Sequence, residues 1–348
     1  MLRGRGRRAP AATPAARAAR LPWRALVSPA RVAALNILVT SLSRKVPLLA
    51  ALREALDRSP ASGCVWGADS DPGCVGRYFA ERFWEMPPLS EPGGPDALAG
   101  FCARERIGLV IPTRDGELAL LASLRERLEG EGVHVAVSAA EAIGTCLDKL
   151  RFHGHCRRHG LATAATATAP GELDAERLVV KERHGAGTRG LAVGLDREAA
   201  RAHAEHLREP IFQPVLGGAE HSVDLYVNRR GEVVEAAPRA RIRVHDGEST
   251  VTETVEHPQL VAAAVGLAES LDLRGHAVVQ AFVEGPEVTL LECNPRVGGG
   301  STLGFHAGVE TPAWAIAEAL GETVAPRPGS YRRGLRLVRY PADRLIER

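Results

Sequence analysis

The sequence predicts a mixed α/β chain: an N-terminal domain built on a parallel sheet, followed by a larger α+β region in two lobes. Three observations lead there. Short apolar runs alternate with helical stretches over residues 36–147, the pattern of an open parallel sheet. Residues 178–194 read as strand, glycine-rich turn, strand. Residues 277–282 and 288–291 are two apolar strands joined through Glu284, Gly285 and Pro286, which makes them an antiparallel hairpin.

Composition bounds the function. At 348 residues, 45% hydrophobic and 25% charged, the chain is an ordinary globular protein of two or three domains. No apolar run nears the ~20 residues a membrane helix needs, so no span and no membrane partner are expected. The six cysteines (Cys64, Cys74, Cys102, Cys146, Cys156 and Cys293) lack C-x-x-C spacing, which argues against a disulfide framework and for a reducing, cytoplasmic setting. The net charge of +2 hides an asymmetry. Residues 1–35 hold eight arginines and no acid, leaving 36 basic against 42 acidic residues in the body. A mildly acidic body makes nucleic acid an unexpected partner. The basic stretch reads as a disordered arm, as an extension from a misplaced start, or as a targeting segment; sparse serine and interrupting prolines favour the first two.

In order, the first domain shows a strand at 37–40, a helix at 46–56 and a strand at 64–68 ending in Asp69. A strand at 109–111 closes on Thr113, Arg114 and Asp115, followed by a helix at 118–128 and a strand at 133–137. Ligands of such sheets collect at the carboxyl ends of the strands, which puts Arg44, Asp69, Thr113 and Asp115 near a cleft shared with the next domain. Thr113 reads equally as a helix cap. The first turn, 41–45, lacks the glycines a dinucleotide pyrophosphate requires, which excludes a nicotinamide-binding half. Asp148 and Lys149 open a helix to about residue 159. Its His153, His155, Cys156 and His159 have no C-x-x-C or H-E-x-x-H companion and read as a solvated basic helix. Residues 162–171 read as a low-complexity Ala/Thr/Pro linker with one extended stretch.

The chemistry-bearing residues come later. Gly185, Gly187 and Gly190 lie in a turn between two strands, where backbone N–H groups can close over phosphates, with Lys181 as a mobile charge beside them. A merely flexible hairpin is the plainer reading. Glu292 and Asn294, two apart on a strand, project from one face and suit a hard cation such as Mg²⁺. The hairpin brings Gln280 towards Glu292 as a third oxygen donor. Pro295 stops the strand, Arg296 adds a fixed charge, and Gly298, Gly299 and Gly300 admit close backbone approach. Arg239, Arg241 and Arg243 share a strand face, suited to a carboxylate or phosphate or else simply a solvated basic edge. No convincing Ser-His-Asp or Cys-His set is present.

In this order the pieces resemble the ATP-grasp superfamily, in particular single-copy ligases similar to the synthetase domains of the carbamoyl-phosphate synthase large chain. The resemblance runs from about Asn36 to the end. It implies a parallel-sheet pre-ATP-grasp domain (36–147) behind the basic extension (1–35), a lid lobe (148–212) and a C-terminal lobe (213–348) with a closing strand. It further implies ATP with two Mg²⁺ ions, Mn²⁺ being an alternative, small-molecule carboxylate and amine substrates, and room for a homodimer. By the resemblance, Lys149 and Lys181 meet phosphates and purine under a lid containing Gly185, Gly187, Thr188 and Gly190. Gln213 and Val215 belong to the adenine hinge and Glu220 binds ribose. Gln280, Glu292 and Asn294 hold the metals, Arg296 steadies the transferring phosphoryl, and Arg239 and Arg241 grip the acidic substrate. The sequence departs from the family's usual residues at Glu182, Gln213 and Pro214. The implied activity is ATP-dependent amide formation through an acyl phosphate; alternatives are a carboxylate kinase, a carbamoyl-phosphate-type enzyme or a silent nucleotide-binding module.

Overall fold

The computed structural model describes residues 34–185 and 190–347. The first sheet contains β1 (Asn36–Val39), β2 (Val65–Asp69), β3 (Arg82–Glu85), β4 (Ile107–Ile111) and β5 (His134–Val135), all parallel, in the order β3-β2-β1-β4-β5. Helices α1 (Val46–Arg58), α2 (Gly94–Glu105) and α3 (Asp115–Gly130) make the crossovers. Ile37, Leu38 and Val39 are fully buried, because helices cover both faces of a parallel sheet and its central strand must be apolar throughout.

Helices α4 (Ala140–Leu147) and α5 (Lys149–Arg158) lead out of this domain. Asp148 caps α5, accepting hydrogen bonds from the N–H groups of Leu150 and Arg151. A small antiparallel sheet follows, with β6 (Leu178–Glu182) between β7 (Ala192–Leu195) and β8 (Pro210–Pro214), and α6 (Arg197–Ala204) packed on it. The two strands read within 178–194 are present and pair antiparallel; residues 186–189 between them lie outside the described residues.

The third sheet is antiparallel, in the order β13-β12-β9-β10-β11-β14. Its strands are β9 (Ala219–Val227), β10 (Val233–His245), β11 (Glu248–Thr254), β12 (Gly275–Glu284), β13 (Glu287–Asn294) and β14 (Arg336–Val338). Helix α7 (Pro258–Ser270), with α5, buries one face: Phe152 and Cys156 join Val223, Leu260, Ala264, Val279 and Leu290 in a single core. Helices α8 (Ser301–Ala307) and α9 (Thr311–Ala319) run from the other side into the first domain. There Val297, Phe305, Ala313 and Ile316 share a core with Ile37, Leu49 and Leu52. First domain and C-terminal lobe are therefore joined by apolar packing.

Residues 162–171 are more than a linker. Ala164 and Ala167 are buried. The Ala164 N–H bonds the Leu290 carbonyl and the Leu290 N–H bonds that of Ala162, while Ala167 exchanges both backbone bonds with Phe212. Small side chains let this segment lie flat and lace β13 of the large sheet to β8 of the small one. His155 is likewise mostly buried, its Nε2 3.0 Å from the Ser270 hydroxyl, rather than solvated. Among the described residues no three His, Cys, Asp or Glu side chains form a metal cluster, and no helix is long and apolar enough to cross a membrane.

Candidate active site

The hairpin β12–β13 supplies the oxygen donors. Gln280 and Glu292 are direct cross-strand partners, with a register shift immediately after Gln280. Opposed residues on an antiparallel pair project from the same face, so the amide and the carboxylate stand side by side. Asn294, two residues on, shares that face: its Nδ2 lies 3.3 Å from Glu292 Oε1. All three are partly exposed. One carboxylate and two amide oxygens are hard donors, the set Mg²⁺ takes when substrate phosphates complete its shell, so these residues fit the ion.

Arg296 stands over this group. Its Nη2 donates to Asn294 Oδ1 at 3.1 Å, and its Nε and Nη2 grip both oxygens of Asp115 at 2.7 and 3.0 Å. Asp115 is the first residue of α3, in a turn at the carboxyl end of β4. The fork pairing fixes the guanidinium plane and ties the first domain to the metal-binding hairpin. The sequence placed Asp115 near the cleft without finding its partner, since 181 positions separate the two. Thr113 does not cap α3. Its hydroxyl donates to the carbonyls of Thr40 and Ser41, and Glu117 accepts from Thr40, Ser41, Thr113 and Arg114. This buried knot shapes the two turns at the sheet's edge, and burial raises the pKa of Glu117.

The lysines come from the other side. Lys149 Nζ donates to the Gly185 carbonyl at 2.9 Å. Burial lowers its pKa, while Glu292 and Asp115 act to raise it. Lys181, on β6, is pulled down to about 8 by burial and by the Lys149 charge, against the attraction of Glu292 and Glu220. Both ammonium groups thus feel the Glu292 carboxylate, although more than a hundred residues of chain intervene. Asp148 holds Arg183 through a two-pronged ion pair, which pins the foot of the glycine turn to the start of α5. Gly185 and Gly190 have φ of +106° and +67°, conformations that favour glycine. Gly187 and Thr188 lie outside the described residues.

Glu220 pairs with Arg241, Oε1 to Nε 3.1 Å, and burial raises its pKa despite that cation. Arg241 also donates to the Gly247 carbonyl. Arg239 is only 3% exposed and gives its Nε to Asp224, which is fully buried, at 2.6 Å. Of the two arginines named for gripping substrate, then, Arg239 is committed to an internal carboxylate and Arg241 leans on Glu220. At the hinge, the Gln213 amide is buried and donates to the Thr166 hydroxyl at 2.8 Å, while the Val215 N–H is given to the Arg177 carbonyl. Glu182 accepts from the N–H groups of Arg208 and Glu209 and so holds the approach to β8.

Residues 206–340 match the family of ATP-grasp proteins in the biosynthetic pathway with the Ter operon, and residues 37–136 match the PylC-like N-terminal domain. The carbamoyl phosphate synthase large chain of Thermus thermophilus is 28% identical over 242 residues, 62% of this chain and 23% of that one. The chain therefore spans about a quarter of the length of the curated relatives it matches. Its fold is similar to that of biotin carboxylase from Campylobacter jejuni, solved as a β-γ-ATP complex (TM-score 0.68, 13% identity, 86% of this chain and 74% of that one). It is also similar to L-amino acid ligase from Bacillus licheniformis (TM-score 0.63, 17% identity, 83% and 74%). A third likeness is to N5-carboxyaminoimidazole ribonucleotide synthetase, again from Thermus thermophilus (TM-score 0.63, 20% identity, 84% and 81%).

Proposed function

The chain is an ATP-grasp protein with a PylC-like N-terminal domain, and from that premise we propose that it is a ligase that activates a small carboxylate with ATP and passes the acyl group to an amine. In this reading 36–147 is the pre-ATP-grasp domain, 148–212 the lid lobe and 213–348 the C-terminal lobe. One observation carries it: Lys149 and Lys181 on one side and Glu292 on the other, far apart in sequence, share a single electrostatic neighbourhood. A triphosphate needs both its charge neutralised and its metal held, and this region offers both.

Lys149 and Lys181 neutralise phosphate oxygens beneath the turn of Gly185 and Gly190, and Gly187 and Thr188, outside the described residues, are assigned to the same lid. Gln213, Val215 and Glu220 border the adenosine end. Gln280, Glu292 and Asn294 would hold Mg²⁺, which when bound shields the β- and γ-phosphate charge and orients the γ-phosphoryl for in-line transfer. A substrate carboxylate oxygen forms a bond to the γ-phosphorus as the β–γ bridging P–O bond breaks and ADP leaves. Arg296, held flat by Asp115, faces the charge that builds on the moving phosphoryl. The neutral amine then adds to the acyl carbon, loses a proton, and expels inorganic phosphate to leave an amide. No side chain forms a covalent bond with substrate, so the protein's contribution is orientation, charge and exclusion of water.

The 28% identity with the carbamoyl phosphate synthase large chain supports a second reading, a carboxylate kinase or carbamoyl-phosphate-type enzyme that phosphorylates a small carboxylate. ADP release measured against panels of carboxylates, with and without amines, separates the two: amine-dependent turnover supports the ligase and amine-independent turnover the kinase. Glu292→Ala should abolish turnover, and activity retained at saturating Mg²⁺ would remove Glu292 from the metal site.

A further inference from the structure

In the order β3-β2-β1-β4-β5 the direction of winding reverses between β1 and β4, and the turns following these two strands flank that switch point. The turn after β4 carries Asp115 and serves Arg296. The turn after β1 carries Arg44 and Lys45, which no nucleotide motif uses. Facing it across the cleft are Glu248 at the start of β11, Gly298 and Gly299 after β13, Thr302 on α8, and Arg339 just past β14. Between them lies a cavity of about 230 Å³. Pockets for drug-sized ligands run from roughly 300 to 1,000 Å³, so this one suits a small metabolite.

The lining is charged and built. Glu248 bridges Arg44 at 3.2 Å and Arg339 at 2.6 Å, forming a frame from three distant parts of the chain. A Cβ on Gly299 would come within 3.0–3.2 Å of the Glu248 carboxylate, so glycine is what lets that frame close against the backbone. Lys45 is half-buried and has no ion pair among the described residues, and its pKa is lowered first by burial and then by the neighbouring Arg296 charge. Glu248, already shared between two arginines, and Glu117 act to raise it, so the three cations still outnumber the carboxylates around them. Arg239 and Arg241 have their own internal partners, which leaves Lys45 as the cation beside Arg296 without an ion pair among the described residues.

We propose that this cavity holds the acid substrate, and that the substrate carries a second acidic group, a carboxylate or a phosphate, bound by Lys45 within the Arg44–Glu248–Arg339 frame while its reacting carboxylate faces Arg296. The inference rests on the ligase reading and assigns its substrate class: a small dianionic acid.

The test is calorimetric titration of the full chain, saturated with MgADP, using succinate, glutarate, inorganic phosphate and propionate. The dianions should bind at least about tenfold more tightly than propionate, the worth of one charge-assisted hydrogen bond. Phosphate that binds more tightly than the dicarboxylates and loses that affinity in Lys45→Ala identifies the second group as a phosphate, and the reverse order identifies a carboxylate. Lys45→Ala should erase the discrimination while MgADP affinity stays within about threefold. Arg339→Ala, which removes one arm of the frame, should weaken dianion binding in the same way and decides the matter if Lys45→Ala fails to fold. Equal binding of succinate and propionate, or discrimination unchanged in either folded variant, overturns the proposal. Binding is read without turnover. Dianions held through Lys45 by a protein that releases no ADP with any amine would therefore sink the ligase reading and leave the anion pocket standing.

Discussion

Replacing Lys181 with methionine sets stability against nucleotide binding. The ammonium sits on β6 where burial, with Lys149 alongside, brings its pKa from 10.5 to about 8. At about 1.4 kcal/mol per unit, that shift is worth roughly 3 kcal/mol. The unfolded chain keeps this proton to about pH 10.5, whereas the folded chain releases it near 8. Between those values the unfolded state binds more protons, so stability rises with pH across the window, and below pH 8 the full cost is felt. A bound triphosphate supplies the missing counter-charge. Lys181→Met keeps the chain length and removes the charge. At pH 7 it should stabilise the free protein in urea by about 1–3 kcal/mol, with the advantage fading above about pH 9, and weaken MgATP binding by about 100-fold. In the parent protein, MgATP binding at pH 8.5 should take up a fraction of a proton, read by calorimetry in two buffers of different ionisation enthalpy. A variant less stable than its parent at pH 7, or nucleotide binding that takes up no proton anywhere between pH 7.5 and 9, would refute the reasoning.

Asp115→Asn removes one charge from the fork that flattens Arg296 and should lower kcat by about 10- to 100-fold, since small misplacements of a transition-state group are costly. Nucleotide affinity should hold within about threefold; single-turnover kinetics beside a binding isotherm tells the two apart, and an unchanged kcat removes Asp115 from the reaction. Asp224→Asn strands the buried Arg239 and should cost about 3–5 kcal/mol in chemical denaturation. Burial opposes ionisation of Asp224, but Arg239, His276 and Ser301 outweigh it and hold its pKa far below the usual carboxylate range. Its contribution is therefore complete above about pH 4 and lost as acid is added, so the variant's stability should fall less than the parent's between pH 5 and 2. Parallel curves would show that other acids dominate that limb.

Local signals were legible because they are local. The period-two pattern of β12 and β13, with Gly285 at the turn, fixes a register that brings Gln280 opposite Glu292, and side-chain alternation alone puts Asn294 on the same face. The alternation of apolar runs over 36–147 could only be satisfied by a parallel sheet with covering helices. Residues 162–171 showed an extended stretch but not its role, because alanine and threonine carry no pattern: that role depends on edge hydrogen bonds to Leu290 and Phe212, partners that no window of sequence contains. Arg239 misled for a related reason. Three arginines at strand spacing look alike, and only the neighbouring strand β9 reveals that one of them faces the buried Asp224.

The sequence by itself determined which residue types were available, a parallel domain ahead of a glycine-rich hairpin and an oxygen-donor hairpin, because secondary structure follows from side-chain periodicity and turn chemistry within a dozen residues. The tertiary structure decided which charges meet: Asp115 with Arg296, Asp148 with Arg183, and Glu248 between Arg44 and Arg339. Electrostatic partnership depends on separation in space. Two carboxylates with identical local sequence can end beside a guanidinium or alone in water, and only the closed chain sets that distance.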